Sequence, residues 1–157
     1  MARTRETHLT PEGREALSQE LEHLTGVRRR EVAMRINKAN ETGGTVDNAE
    51  YEEVKNEQAF VEGRIRDLEE ILTNAVVAER SPDSEDQVQF GSAVTVRTER
   101  GQNRNYQLVG SAEARPLDGK ISNESPVGQA LLDRRVGDVV EVETPSGVQT
   151  LTIVAIE

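Results

Sequence analysis

The stretch YEEVKNEQAFVEGRIRDLEEILTNA, residues 51–75, decides how this chain folds. Within it Tyr51, Val54, Gln58, Val61, Ile65, Leu68, Leu72 and Ala75 follow one another at spacings of three and four. That is the period of an α-helix that buries a narrow seam against a second helix. The other faces carry Glu52, Glu53, Lys55, Glu57, Glu62, Arg64, Arg66, Asp67, Glu69 and Glu70, the outside of a solvated rod. Gln58 reads as a polar seam residue of the kind that sets register.

A partner stripe lies upstream. Thr10 is a plausible N-cap, Pro11 sits at the first helical position, and Glu12 suits the positive end of the dipole. Leu17, Leu21 and Leu24 repeat at four and three; Val32, Ile36 and Ala39 do so again after a break in phase near Gly26. The pattern stops at Thr42-Gly43-Gly44, a double-glycine breaker. Two such stripes joined by a short loop satisfy each other by folding into an antiparallel hairpin. Each arm of ~30 residues would reach about 45 Å at 1.5 Å per residue.

Beyond residue 78 the pattern changes. Glu79 to Gln89 is polar and contains Ser81, Pro82, Asp83, Ser84, Glu85 and Asp86, a linker by composition. The period then becomes two, in Ala93–Arg97 and Asn105–Val109 about the turn Arg100–Asn103. A short helix is expected over Val127–Arg134 behind Ser125-Pro126, then a hairpin of Val139–Val142 and Leu151–Ile156 about Pro145-Ser146-Gly147. The expected fold class is α+β: a coiled-coil hairpin over 1–78 with a functional tip near 43–50, a linker at 79–89, and a small domain over 90–157.

Composition narrows the function. The 157 residues include 19 Lys+Arg and 29 Asp+Glu, a formal net charge of −10. So acidic a chain is a poor ligand for free duplex DNA, whose phosphates require a cationic excess. Cysteine is absent, which excludes disulfides, thiolate metal sites and cysteine nucleophiles. The two histidines, His8 and His23, are far apart and read as surface residues. Two Tyr, two Phe and no Trp leave little surface for stacking bases or lining an apolar pocket. No apolar run approaches the roughly 18 residues of a membrane span. Met1–Thr10 lacks an apolar signal core, so a cytoplasmic, membrane-free protein is expected.

The loop from Glu41 to Tyr51 is the informative place for chemistry. A rod end cannot enclose a substrate or exclude water, but it can carry a carboxylate into another molecule's cavity. Asp47 and Glu50 are hard oxygen ligands of the kind Mg²⁺ accepts. They equally fit an N-cap and its capping-box acid at the start of the second helix. Arg28-Arg29-Arg30, with Arg35 and Lys38, is the one basic cluster in the hairpin. It could steer a phosphate backbone, or be a solvated face paired with Glu22, Glu31 and Glu41. No Ser/His/Asp constellation and no phosphate-loop motif is present.

Leu9-Thr10-Pro11-Glu12-Gly13, Glu20, Asn48-Ala49-Glu50-Tyr51, Lys55, Glu57-Gln58, Glu62 and Arg64-Ile65 resemble the bacterial GreA/GreB transcription elongation factors. So do Val109-Gly110, Gly119-Lys120-Ile121-Ser122, Ser125-Pro126-Val127-Gly128, Ala130-Leu131-Leu132 and Val136-Gly137-Asp138 in the second half. The resemblance covers nearly the whole chain. It implies a coiled coil followed by an FKBP-like α+β domain, and a monomer that binds RNA polymerase. The hairpin would enter the secondary channel, where its tip helps the polymerase's own active centre hydrolyse the 3′ end of a backtracked RNA. The chain would thus not itself be the enzyme. The family's tip usually reads Gly-Asp-Leu-x-Glu-Asn-Ala-Glu-Tyr, and its Asp and first Glu support the second Mg²⁺ and the attacking water. Here Gly44 occupies the Asp position, Thr45 replaces Leu, and Asp47 replaces that Glu. Asn40 stands where a basic residue is frequent, while Lys55 keeps a cation on the second helix.

By that resemblance Asp47 is the expected Mg²⁺ or water contact and Glu50 a second acid, with the metal held mainly by the polymerase. Asn48, Tyr51, Lys55, Arg28, Arg29 and Arg30 are the expected polymerase or RNA contacts. The alternative is a Gre-type homologue that occupies the channel without stimulating cleavage, because Gly44 removes a tip acid. Prolyl isomerisation would need several aromatic pocket walls, and after the linker the chain offers only Phe90 and Tyr106.

Overall fold

The computed structural model describes residues 6–41 and 49–157, arranged as two compact units. One unit is Glu15–Asn74; the other combines Met1–Arg14 with Ala75–Glu157.

The first unit is helical. Helix α1 (Pro11–His23) runs through a π-helical turn, Leu24–Arg28, into α2 (Arg29–Glu41), and α3 (Ala49–Thr73) packs against α2. The ion pairs Arg35–Glu57, Arg29–Glu62 and Arg64–Glu20 step up one arm as they step down the other, so the arms are antiparallel. Val32, Ile36, Val54, Val61 and Ile65 are buried together, with Leu21, Leu24 and Tyr51 half-buried against them. Leu17 and Leu68 are buried as well, so between Leu17 and Leu68 the expected seam is the observed seam.

The break in phase near Gly26 has a structural cause. In an uninterrupted α-helix at about 100° per residue, Val32 would sit roughly 80° off the stripe set by Leu24. The π turn takes an extra residue into one turn, and the Arg29 N–H donates to the Leu24 carbonyl five residues back. Val32 and Ile36 are thereby returned to the buried face.

The second unit is a five-stranded sheet in the order β5-β4-β3-β7-β6 with one short helix, so the fold class is α+β. Its strands are β3 (Ala93–Thr98), β4 (Asn103–Val109), β5 (Lys120–Ser122), β6 (Val139–Thr144) and β7 (Gly147–Ile156). All neighbours are antiparallel except β4 and β5. Alternate residues of the strands, Val94, Val96, Leu108, Val140, Val142, Leu151 and Ile153, face one core with Val88, Ile121 and Leu131. Helix α4 (Pro126–Leu131) starts where Ser125 Oγ accepts the Gly128 N–H at 3.1 Å. It ends earlier than expected, at Leu131 rather than Arg134.

Three expectations are corrected. The second long helix stops at Thr73, and Ala75 opens β2 (Ala75–Val77), which pairs in parallel with β1 (Thr7–Leu9). The β-branched Val76 and Val77 and a ready partner strand favour this end over another helical turn. The first residues and residues 75–89 therefore belong to the second unit, not to a hairpin ending at 78. Finally, the polar stretch 79–89 is not a free linker. Pro82–Ser84 forms a 3₁₀ turn, the Gln89 side chain exchanges hydrogen bonds with the Ser81 backbone, and Val88 is fully buried in the sheet core.

A carboxylate ties the first strand of this unit to its sheet. Thr10 caps α1 through its Oγ1, which accepts the Gly13 N–H at 3.0 Å. Glu113, from the β4–β5 connection, accepts the Thr10 hydroxyl, the Thr10 N–H at 2.9 Å and the Gly110 N–H at 3.0 Å. A negative carboxylate beside the first turn of α1 also opposes the positive end of its dipole. A hydrogen bond to a charged acceptor contributes about 1.5–3 kcal/mol. Glu113→Ala is expected to lower the stability of this unit by about that much, read as a shifted denaturation midpoint. A midpoint equal to wild type would show that water replaces the carboxylate at no cost.

Candidate functional site

Asp47, Asn48, Gly43, Gly44 and Thr45 lie outside the described residues, in the segment that joins α2 to α3. Glu50 occupies the first turn of α3 and is exposed. Tyr51, one residue on, is half-buried against the hairpin core and so is part of the packing as well as an expected contact. Lys55, one turn further, places its Nζ 5.7 Å from the centroid of the Tyr51 ring. That is cation–π distance, and it draws the lysine along its own helix.

The basic cluster divides. Arg28 is ion-paired with Glu31 at 3.1 Å and with Glu57. Arg29 holds Glu62 with two hydrogen bonds, at 2.8 and 2.9 Å, and Arg35 reaches Glu57 at 2.6 Å. Arg64 grips Glu20 in the same bidentate way, at 2.7 and 2.9 Å. Arg30 is exposed and has no ion pair among the described residues. Only Glu31 was among the expected partners. Glu57 and Glu62 come from the opposite arm, because in an antiparallel pair the positions flanking the seam face one another across it.

The Arg29–Glu62 hydrogen bonds hold the Glu62 carboxyl below the usual glutamate range and raise the Arg29 guanidinium. The sign follows. A carboxyl whose folded-state value is lowered stabilises the fold above the ordinary glutamate value, and that contribution disappears as pH falls through the lowered one. Glu62→Gln is therefore expected to melt slightly below wild type at neutral pH, with the gap closing in acid and shrinking at high salt. Circular dichroism melts of both proteins at neutral and acid pH measure it. A gap that persists in acid would assign the loss to packing instead.

The described residues include no group of three His, Asp or Glu side chains placed to hold a metal ion. No described helix is long and apolar enough to cross a membrane. Phe90 packs edge-on to His8 with centroids 6.4 Å apart, and Tyr106 packs on the sheet core. In the sequence Asp47 lies in the connection between the two paired helices and Glu50 just after it.

Comparisons with known proteins give this architecture its family. Residues 7–77 match the family model described as "Transcription elongation factor, N-terminal". Residues 83–157 match "Transcription elongation factor, GreA/GreB, C-term". The transcription elongation factor GreA of Geobacillus kaustophilus is 47% identical over 158 aligned residues, covering 100% of both chains. That of Chloroflexus aggregans is 49% identical over 151 residues and 96% of each chain. A crystal structure of the GreA factor homolog 1 protein of Thermus thermophilus shares 38% identity, covers 98% of this chain and 99% of its own, and gives a TM-score of 0.45. The chain belongs to the GreA/GreB family of transcription elongation factors.

Proposed function

We propose that this factor acts on bacterial RNA polymerase by inserting its helical hairpin through the secondary channel and stimulating cleavage of the 3′ end of a backtracked transcript. The observation that supports this reading is the hairpin itself: two antiparallel arms locked by four cross-arm Arg–Glu pairs, with Asp47 in the stretch of sequence that joins them. The chain would supply a carboxylate and its position, and the polymerase the rest of the catalytic centre. Asp47 and Glu50 offer hard oxygen donors, which suits Mg²⁺, an ion usually held by one or two carboxylates together with waters and substrate phosphates. The ion would be shared, held mainly by polymerase residues. When bound it would supply positive charge to the attacking and leaving oxygens of the hydrolysed phosphodiester. Asp47 would donate one oxygen ligand or accept a hydrogen bond from the attacking water. Glu50 would add negative charge beside it. Asn48, Tyr51 and Lys55 would set the tip against polymerase or RNA.

Gly44 favours a second reading. It stands where the family carries an acid, so the factor would occupy the channel without stimulating cleavage. Transcript cleavage by a stalled complex, with and without this protein, separates the two. Stimulation supports the first reading; occupancy without stimulation supports the second.

A further inference from the structure

Arg97-Thr98-Glu99-Arg100-Gly101-Gln102-Asn103-Arg104 carries three arginines against one glutamate, in a chain whose net charge is −10. These residues form the turn between β3 and β4. The Thr98 N–H donates to the Gln102 carbonyl at 2.8 Å and the Gly101 N–H to the Thr98 carbonyl at 2.9 Å. Gly101 adopts φ +77°, the left-handed region that favours glycine. The one acid is engaged by the backbone: Glu99 Oε1 accepts the Thr150 N–H of β7 at 3.1 Å.

The result is a cleft of about 300 Å³ where the β3–β4 turn meets β7, lined by Arg100, Arg104, Gln102, Gln149 and Thr150 together with Glu99 and the apolar Leu151. Every arginine that the hairpin pairs, Arg28, Arg29, Arg35 and Arg64, has a glutamate partner. Arg100 and Arg104 are exposed and have no carboxylate partner among the described residues. Arg97, exposed one residue after Val96, the cross-strand partner of Arg104, lies on the opposite face of the sheet and takes no part in the cleft.

We infer that this cleft binds the phosphate backbone of a single-stranded nucleic acid. Guanidinium groups match phosphate oxygens in a two-donor fork, and the amides and hydroxyls around them supply further neutral donors. No aromatic side chain lines the cleft, so bases would not be stacked and binding would be independent of sequence. The cleft is larger than one phosphate group needs, which points to a strand rather than a free anion. Two acids oppose this locally, Glu99 in the lining and Glu141 as the cross-strand partner of Thr150, whereas charges beyond about 8 Å are largely screened at physiological ionic strength. Binding of this kind in isolation is weak, with Kd on the order of 10⁻⁴–10⁻⁶ M. The inference concerns the sheet unit and is independent of the cleavage reading.

Amide NMR titration of the full chain with a short single-stranded RNA tests it. The resonances of Arg100, Gln102, Gln149 and Thr150 are expected to shift together. In the double variant Arg100→Gln/Arg104→Gln those shifts should need about 5-fold more RNA. The dependence of log K on log salt should become shallower by about 1.4, for two lost phosphate contacts on a single strand. An otherwise unchanged amide spectrum would verify that the variant is folded. Three results would each overturn the inference: no shifts at these amides, an oligoglutamate that shifts them as strongly as RNA, or inorganic pyrophosphate that displaces RNA at equal phosphate concentration.

Discussion

Replacing Asp47 by Asn is expected to lower stimulation of transcript cleavage by about 10-fold or more, while affinity for the polymerase stays nearly unchanged. Asparagine is the informative substitution. It caps a helix as well as aspartate does, so any capping role at the start of α3 is retained. It is nearly isosteric, so the tip's fit is retained. It removes the negative charge and the charged oxygen ligand, the two properties the proposed chemistry would use. A tenfold loss corresponds to about 1.4 kcal/mol in the barrier, a small demand on one carboxylate beside a divalent ion. Glu50 is a poor substitute: it is fixed on the first turn of α3, three residues on in the chain.

The companion variant is Gly44→Asp, which restores the acid at the family position and is expected to raise stimulation. Asp47 has a shorter stem than the glutamate it replaces, and the adjacent Gly43-Gly44 would make a compensating shift of the loop conformationally easy. Cleavage assays on one backtracked complex with wild type and both variants discriminate the outcomes. Silent wild type with active Gly44→Asp would establish the channel-occupying reading. Asp47→Asn that cleaves like wild type would make Asp47 only a helix cap.

The hairpin was legible because its period is long. Spacings of three and four over Leu17–Leu24, Val32–Ala39 and Tyr51–Leu68 read as helix, and those residues form the observed seam. The π turn was visible only as a slip in that period, since local propensity does not say where a helix absorbs an extra residue. Strands β1 and β2 have three residues each, too few for alternation to register. Val88 is a lone apolar residue in a polar run, and its burial is decided by the sheet it meets.

The Glu113 clasp was not legible at all. Its carboxylate and Thr10 are 103 residues apart, and neither belongs to a motif that names the other. The same distance problem hid the cross-arm partners of Arg28, Arg29 and Arg35: local spacing favours acids on the same helix, whereas the fold offers closer ones on the facing arm. At the tip, spacing alone left Asp47 open between a cap and a metal ligand. Only the family resemblance assigned it chemistry.

Replacing Ile65 by Ala is expected to cost the hairpin about 2–5 kcal/mol. Ile65 is 2% exposed and packs in one cluster with Val32, Ile36, Val54 and Val61. Truncation removes most of its buried methylenes and leaves a cavity. Two paired helices can close on a cavity more readily than a core walled on all sides, so the loss should fall toward the lower end of that range. For a unit of this size even the lower end lowers the melting temperature by roughly 10 °C. Phe60 supplies the control on the same helix. It is 74% exposed, so Phe60→Ala should change stability by no more than about 0.5 kcal/mol despite deleting a larger side chain. Far-ultraviolet circular dichroism follows the helical unit, and amide resonances of β3, β6 and β7 follow the sheet. If Ile65→Ala lowers the helical transition alone, the two units unfold independently. If both probes shift together, they melt as one cooperative body, and the loss is shared across it. An unchanged helical midpoint would remove Ile65 from the packed seam.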